Sequence, residues 1–175
     1  MIAGSYVQKT SRQLEVLHGL TGMTMIEWDV TQADTRERQE AESEKVIAGI
    51  EDEFARGQVV CVYTSRAYMV GQGRTPGNEQ DLLFSQKISD GLVLVIRNLT
   101  LQPGYLMAKG GITSSDVGVK GPGIQRAMIM GQIQPGVLVW RLGPESRFPG
   151  LPYVVFPGNV GPDDGLKAVV KILRT

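Results

Sequence analysis

The run Val59-Val60-Cys61-Val62-Tyr63-Thr64-Ser65 constrains the fold of this chain more than any other segment. It is β-branched, almost wholly apolar, and bounded by Gly57 and a polar loop. A strand with two apolar faces needs cover on both, the situation of a central strand in a helix-covered α/β sheet. Other short apolar runs recur along the chain: Met1–Val7, ending at Gly4-Ser5, then Met23–Asp29, Tyr105–Ala108, Arg126–Met130, Val137–Leu142 and Tyr153–Phe156.

Helical patterns separate the early runs. Thr10 with Gln13 three residues on has the form of a capping box, and Leu14, Leu17 and Leu20 line the buried side of that helix. Thr31–Arg56 is charged and helix-prone, with Ala33, Val46, Ile47, Ile50 and Phe54 as its inner stripe and Gly57 at its end. Its charges, Arg36 to Lys45, read as a solvated face. Gly71–Gly77 reads as a glycine-rich loop. Asn78 then caps a long helix carrying Leu82, Ile88, Leu92, Val95, Ile96 and Leu99, which Gly91 weakens locally. Gly165–Leu173 closes the chain as a helix. This alternation predicts a single α/β domain: a layered, mixed, partly parallel sheet flanked by helices, with the late strands adding an antiparallel portion.

Across 175 residues, 18 Lys and Arg balance 18 Asp and Glu, so no global field draws the chain to nucleic acid or an anionic membrane. No segment has the length and apolarity of a membrane span or the layout of a signal peptide, and the expected setting is the cytoplasm. Cys61, the only cysteine, reads as a buried inert thiol. With His18 as the only histidine, a conventional zinc site and a Ser-His-Asp arrangement both lack the residues they need. His18 reads as an ordinary helix residue, and Trp28 and Trp140 as packing groups.

Three glycine-containing turns each follow an apolar strand: Gly4-Ser5, Gly110-Gly111-Ile112-Thr113-Ser114-Ser115 and Gly158-Asn159-Val160-Gly161. Glycine lets backbone amides approach an anion, and a helix starting within Thr113–Asp116 would add its N-terminal dipole. The pattern suits a phosphate cradle, although no G-x-x-x-x-G-K-[ST] motif is present. Lys109 either neutralises phosphate charge as a cationic clamp or points to water from a strand end. Asp116 either reaches Mg²⁺ through water or caps the helix. Arg66, after Thr64-Ser65, is placed to face the same cleft.

These segments also carry a family likeness. Ala3-Gly4-Ser5-Tyr6 with Lys9-Thr10-x-x-Gln13-Leu14, Val62-Tyr63-Thr64-Ser65-Arg66, Ile88-Ser89-Asp90-Gly91-Leu92, Lys109 to Asp116, Gly131 to Val137, and Phe156-Pro157-Gly158-Asn159-Val160-Gly161 occur in this order. The chain resembles, over nearly all its length, the C-terminal nucleotide-binding domain of the four-carbon acid sugar kinases. The resemblance implies ATP with Mg²⁺ as cofactors, and phosphorylation of a terminal hydroxyl on threonate, erythronate or an oxo-tetronate. It places ATP contacts at Ser5, at Gly110, Gly111, Ile112 and Thr113, and at Gly158 and Asn159. In the family a sugar-acid-binding domain precedes the Gly-Ser segment, so that domain is an expected partner in cis or trans, and a homodimer is a further expected assembly. A stand-alone, non-catalytic nucleotide- or anion-binding module is the competing expectation. Pro122 departs from the family pattern and predicts an early end to the helix after the glycine pair.

Overall fold

The structure is a computed structural model and describes residues 1–66 and 79–174. Its strands are β1 (Ile2–Ala3), β2 (Met23–Trp28), β3 (Val59–Thr64), β4 (Leu106–Lys109), β5 (Ala127–Gln134), β6 (Val137–Leu142) and β7 (Pro152–Phe156). Its helices are α1 (Gln8–His18), α2 (Arg36–Ala55), α3 (Glu79–Asn98), α4 (Gly111–Lys120) and α5 (Gly165–Leu173), with a 3₁₀ turn at Val30–Ala33. The expected Gly71–Gly77 loop and Asn78 cap lie outside the described residues.

All seven strands form one sheet in the order β2-β3-β1-β4-β7-β6-β5. The first five positions run parallel, and β6 and β5 join antiparallel at the far edge. The mixed sheet expected from the sequence is therefore present. Val60 and Val62 of β3 pack beneath α2 and α3, while Cys61 packs on the opposite face with Leu14 and Leu17 of α1 and Leu166 of α5. Burial pushes the Cys61 thiol up to about 12, so it stays protonated and inert.

Helix placement follows from the apolar stripes. The face bearing Ile2, Ala108 and Tyr153 is covered by α2, α3 and α4; the face bearing Ala3, Met107, Val154 and Phe156 is covered by α1 and α5. The helix after β1 and the helix after β4 thus leave neighbouring strands toward opposite faces. Their departure opens a crevice at the carboxyl ends of β1 and β4, where open α/β sheets collect ligands.

Several local expectations change. α1 begins at Gln8 behind Val7, with no side-chain cap, and both members of the expected capping box, Thr10 and Gln13, are fully buried. The charged segment splits into the 3₁₀ turn and α2. Asp29 Oδ1 accepts from Thr31 N at 2.9 Å to cap the turn, and Thr35 caps α2. The α2 pairs Arg36–Glu40 and Arg38–Asp34 are exposed, as a solvated face requires. α4 starts at Gly111, earlier than Thr113, and closes at Lys120 before Pro122. Among the described residues no helix is long and apolar enough to cross a membrane.

Candidate functional site

The three glycine turns meet. They leave the carboxyl ends of β1, β4 and β7, which are adjacent in the sheet. A Cβ placed on Gly158 would stand 3.3 Å from Ser5 Oγ and 4.0 Å from Gly110 Cα, and one on Gly110 would stand 2.9 Å from Ser5 Cβ. Gly110 has φ of +117°, which disfavours a side chain there independently of the space. On the other side of Ser5, a Cβ on Gly4 would lie 2.5 Å from Thr113 Oγ1. The three turns therefore touch through Ser5 and Thr113, at positions where the glycines leave no room for a side chain of their own.

The peptide groups of these turns are hydrogen-bond donors. Gly110 supplies no side-chain cap, so the first amides of α4, at Gly111, Ile112 and Thr113, have no intrahelical acceptor. The amides of Gly158 and Asn159 likewise make no hydrogen bond among the described residues. A helix dipole and two sets of N–H groups without partners among the described residues, on touching turns, are an arrangement suited to an anion.

The Gly158 turn is held from behind through its carbonyls. Lys109 Nζ donates to Pro157 O at 2.7 Å and to Gly158 O at 2.9 Å, and it also sits 4.3 Å from the Phe156 ring centroid. Lys9 Nζ donates to Gly161 O at 2.9 Å, and Gln13 Nε2 donates to Val160 O at 3.1 Å and Pro162 O at 2.8 Å. The Thr10 hydroxyl lies 3.2 Å from Ser5 Oγ and 3.4 Å from Gly158 O. Thr10 and Gln13 are buried because they bind these turns, which displaces the capping role that their spacing suggests.

Of the two settings expected for Lys109, the water-facing one is corrected. Its side chain is fully buried, so it does not face water, and the contacts it makes are to turn carbonyls. Burial, reinforced by the nearby Lys9 ammonium, lowers its pKa to about 8. Asp116 does not cap α4: it sits in the second turn, where Oδ2 accepts from Ser89 Oγ at 2.8 Å and Oδ1 pairs with Lys120 Nζ at 3.1 Å. Burial alone would raise this carboxyl, but Ser89, Lys120 and Gln86 outweigh it and hold the pKa below the usual value. Arg66 reaches the site through the main chain, donating from Nη1 to Ser5 O at 2.6 Å. His18 lies at the far end of α1 and lines a separate cleft with Tyr63 and Met25.

A cleft of about 290 Å³ adjoins the turns, bounded by Gly4–Val7, Gly110–Thr113 and α3. The α3 wall is Ser85, Ile88, Ser89 and Leu92, a single stripe at helical spacing. The sequence places Ile88 and Leu92 on this helix and gives Ser85 and Ser89 no role in the site, although their spacing sets them on the same face. Ile112 is an exposed lining residue and Thr113 a buried one; Asn159, in the neighbouring turn, is exposed. A larger cavity of about 600 Å³ lies at the amino ends of the strands, between Phe54, Leu101, Tyr105 and Arg174, away from the free amides.

Residues 1–166 match the family described as the nucleotide-binding C-terminal domain. This chain belongs to that family. It is the domain that the sequence motifs resemble. No curated protein matches the sequence. Among solved structures, a DUF1537 protein from Bordetella bronchiseptica, with bound citrate and as a domain-swapped dimer, is 18% identical with a TM-score of 0.74. The match covers 99% of this chain and 40% of that one. A Haemophilus influenzae protein of the same DUF1537 family is 21% identical with a TM-score of 0.73, over 98% of this chain and 39% of that one. The chain thus spans about two fifths of the length of these structural relatives, and at this identity the likeness establishes a common fold.

Proposed function

We propose that this domain binds ATP with its phosphates against the free amides of Gly111, Ile112, Thr113, Gly158 and Asn159, beside Ser5. The observation that carries the reading is the meeting of two unpartnered amide sets at the crevice of a nucleotide-binding domain. Backbone donors fixed before binding suit a polyphosphate, whose charge is spread over many oxygens. Mg²⁺ would enter with the nucleotide, held chiefly by phosphate oxygens, with Asp116 as the candidate carboxylate for a water-mediated contact. In its larger setting the domain serves a kinase that phosphorylates a four-carbon sugar acid, with the acid held by a separate domain in cis or trans. The dimeric Bordetella relative supports a homodimer as one such assembly.

Among the described residues, no carboxylate and no histidine lines the cleft beside the turns. That observation favours a second reading for the chain alone: a module that binds nucleotide or another anion without transferring phosphate. Titration calorimetry with ADP or ATP, with and without Mg²⁺, tests the common part of both readings. Saturable binding is expected, and no heat at millimolar nucleotide would overturn it. Turnover of threonate or erythronate only after the sugar-acid domain is added would separate the kinase from the module.

A further inference from the structure

We infer that Lys109 is a positioning residue that aims the Gly158 and Asn159 amides at the nucleotide, and that its protonation state switches nucleotide affinity. The inference rests on the nucleotide reading of the site. In a planar trans peptide the C=O and the following N–H point in opposite directions. Lys109 Nζ draws the carbonyls of Pro157 and Gly158 toward itself, at 2.7 and 2.9 Å. The N–H groups in those same two peptides belong to Gly158 and Asn159, so both must point away from Lys109, and neither has a partner among the described residues.

The arrangement needs a charge where the fold would otherwise place an apolar group. Every residue of β4 is buried, and Lys109 is fully so. A dry ammonium is costly, and here it is met by two carbonyls and the face of Phe156 rather than by a carboxylate. The charged group set against it is the Lys9 ammonium of α1, and no ion pair to Lys109 forms among the described residues. Loss of the proton would convert two charge-assisted hydrogen bonds into weaker neutral ones. Its pKa of about 8 places that change within reach of ordinary buffers. The Gly158 turn can then rotate its peptides, since glycine tolerates either orientation.

The test uses the intact chain and Lys109→Met, which keeps the stem and removes the charge. ADP affinity is measured by calorimetry from about pH 7.5 to about pH 9.5, more than a unit above the second pKa of a phosphate group, about 6. The wild type is expected to weaken about tenfold across that range, while the variant stays flat at the weak limit. In parallel, ¹⁵N NMR follows the Gly158 and Asn159 amides without nucleotide. Their shifts should titrate together in the wild type near the Lys109 pKa and stay constant in the variant. A flat wild-type affinity, a variant that binds as tightly as wild type, or amide shifts indifferent to pH would each overturn the inference. Should Lys109→Met fail to fold, the wild-type amide titration decides alone. Absence of ADP binding at every pH, with the amide titration intact, would instead count against the nucleotide reading.

Discussion

The indole of Trp28 occupies the space that a side chain at Gly91 would need: a Cβ there would stand 2.2 Å from Trp28 Cζ2. Trp28 is fully buried at the end of β2, and Gly91 lies inside α3. The glycine that weakens the helix on propensity grounds is the one that lets the helix close over the ring. Gly91→Ala would gain about 1 kcal/mol of helix propensity, but it must displace an aromatic ring held by the core. The net effect expected is destabilisation by about 1–3 kcal/mol, read from the denaturant midpoint. A stabilised variant would show that the ring can move.

Gly110 and Gly111 are adjacent and should behave oppositely. Gly110→Ala meets Ser5 Cβ at 2.9 Å and must adopt φ of +117°, so it should lose both stability and nucleotide binding. At Gly111 a Cβ meets nothing within 4 Å. Gly111→Val should therefore leave thermal stability close to wild type while obstructing phosphate at the first free amide. Calorimetry and melting curves on the two variants separate the fold's demand from the ligand's.

Much of this was legible in the sequence, for identifiable reasons. β3, β6, β7 and α5 are recovered within about a residue because their apolar patterns are unbroken and sharply bounded. The convergence of Ser5, Gly110 and Gly158 was also readable, since glycines after parallel strands point to one edge. Contacts between side chains and distant backbone were not. Thr10 and Gln13 satisfy a local capping rule, yet their partners lie about 150 residues away, at Gly158, Val160 and Pro162. Lys109 looks from sequence like a strand-end cation, and only the sheet shows that it turns into the protein. Asp116 reads as a cap until Ser89 of α3 is brought beside it.

Asp116 ties α3 to α4 through Ser89, at the wall of the cleft. Its pKa is lowered in the folded state, so its stabilising contribution is complete above the unfolded value and fades as pH falls through the folded one. Asp116→Asn should thus reduce stability at neutral pH and differ least from wild type in strong acid. Urea unfolding at several acidic pH values checks the sign. A difference that widens toward low pH would contradict it.

Lys109 carries the opposite dependence. Its folded pKa, about 8, lies below that of the unfolded chain, so between the two the unfolded state binds more protons. Its contribution to folding therefore becomes more favourable as pH rises through that window. Comparison of the wild type with Lys109→Met should show this as a relative gain for the wild type at alkaline pH. The folded domain would be growing more stable over the same range in which nucleotide affinity is expected to fall.

The order of strands sets how the domain must come together. β1, only two residues long, is wedged between β3 and β4, and the site it feeds is completed by a turn beyond β7. Ser5 and Gly158 therefore meet only after the domain has been synthesised through β7 and the parallel core has closed around β1. Such distant pairings carry a large loop-closure cost before any contact rewards it, and they slow folding. The anion cradle is thus expected late in folding, because the first of the turns that build it lies more than a hundred residues from the other two in the chain.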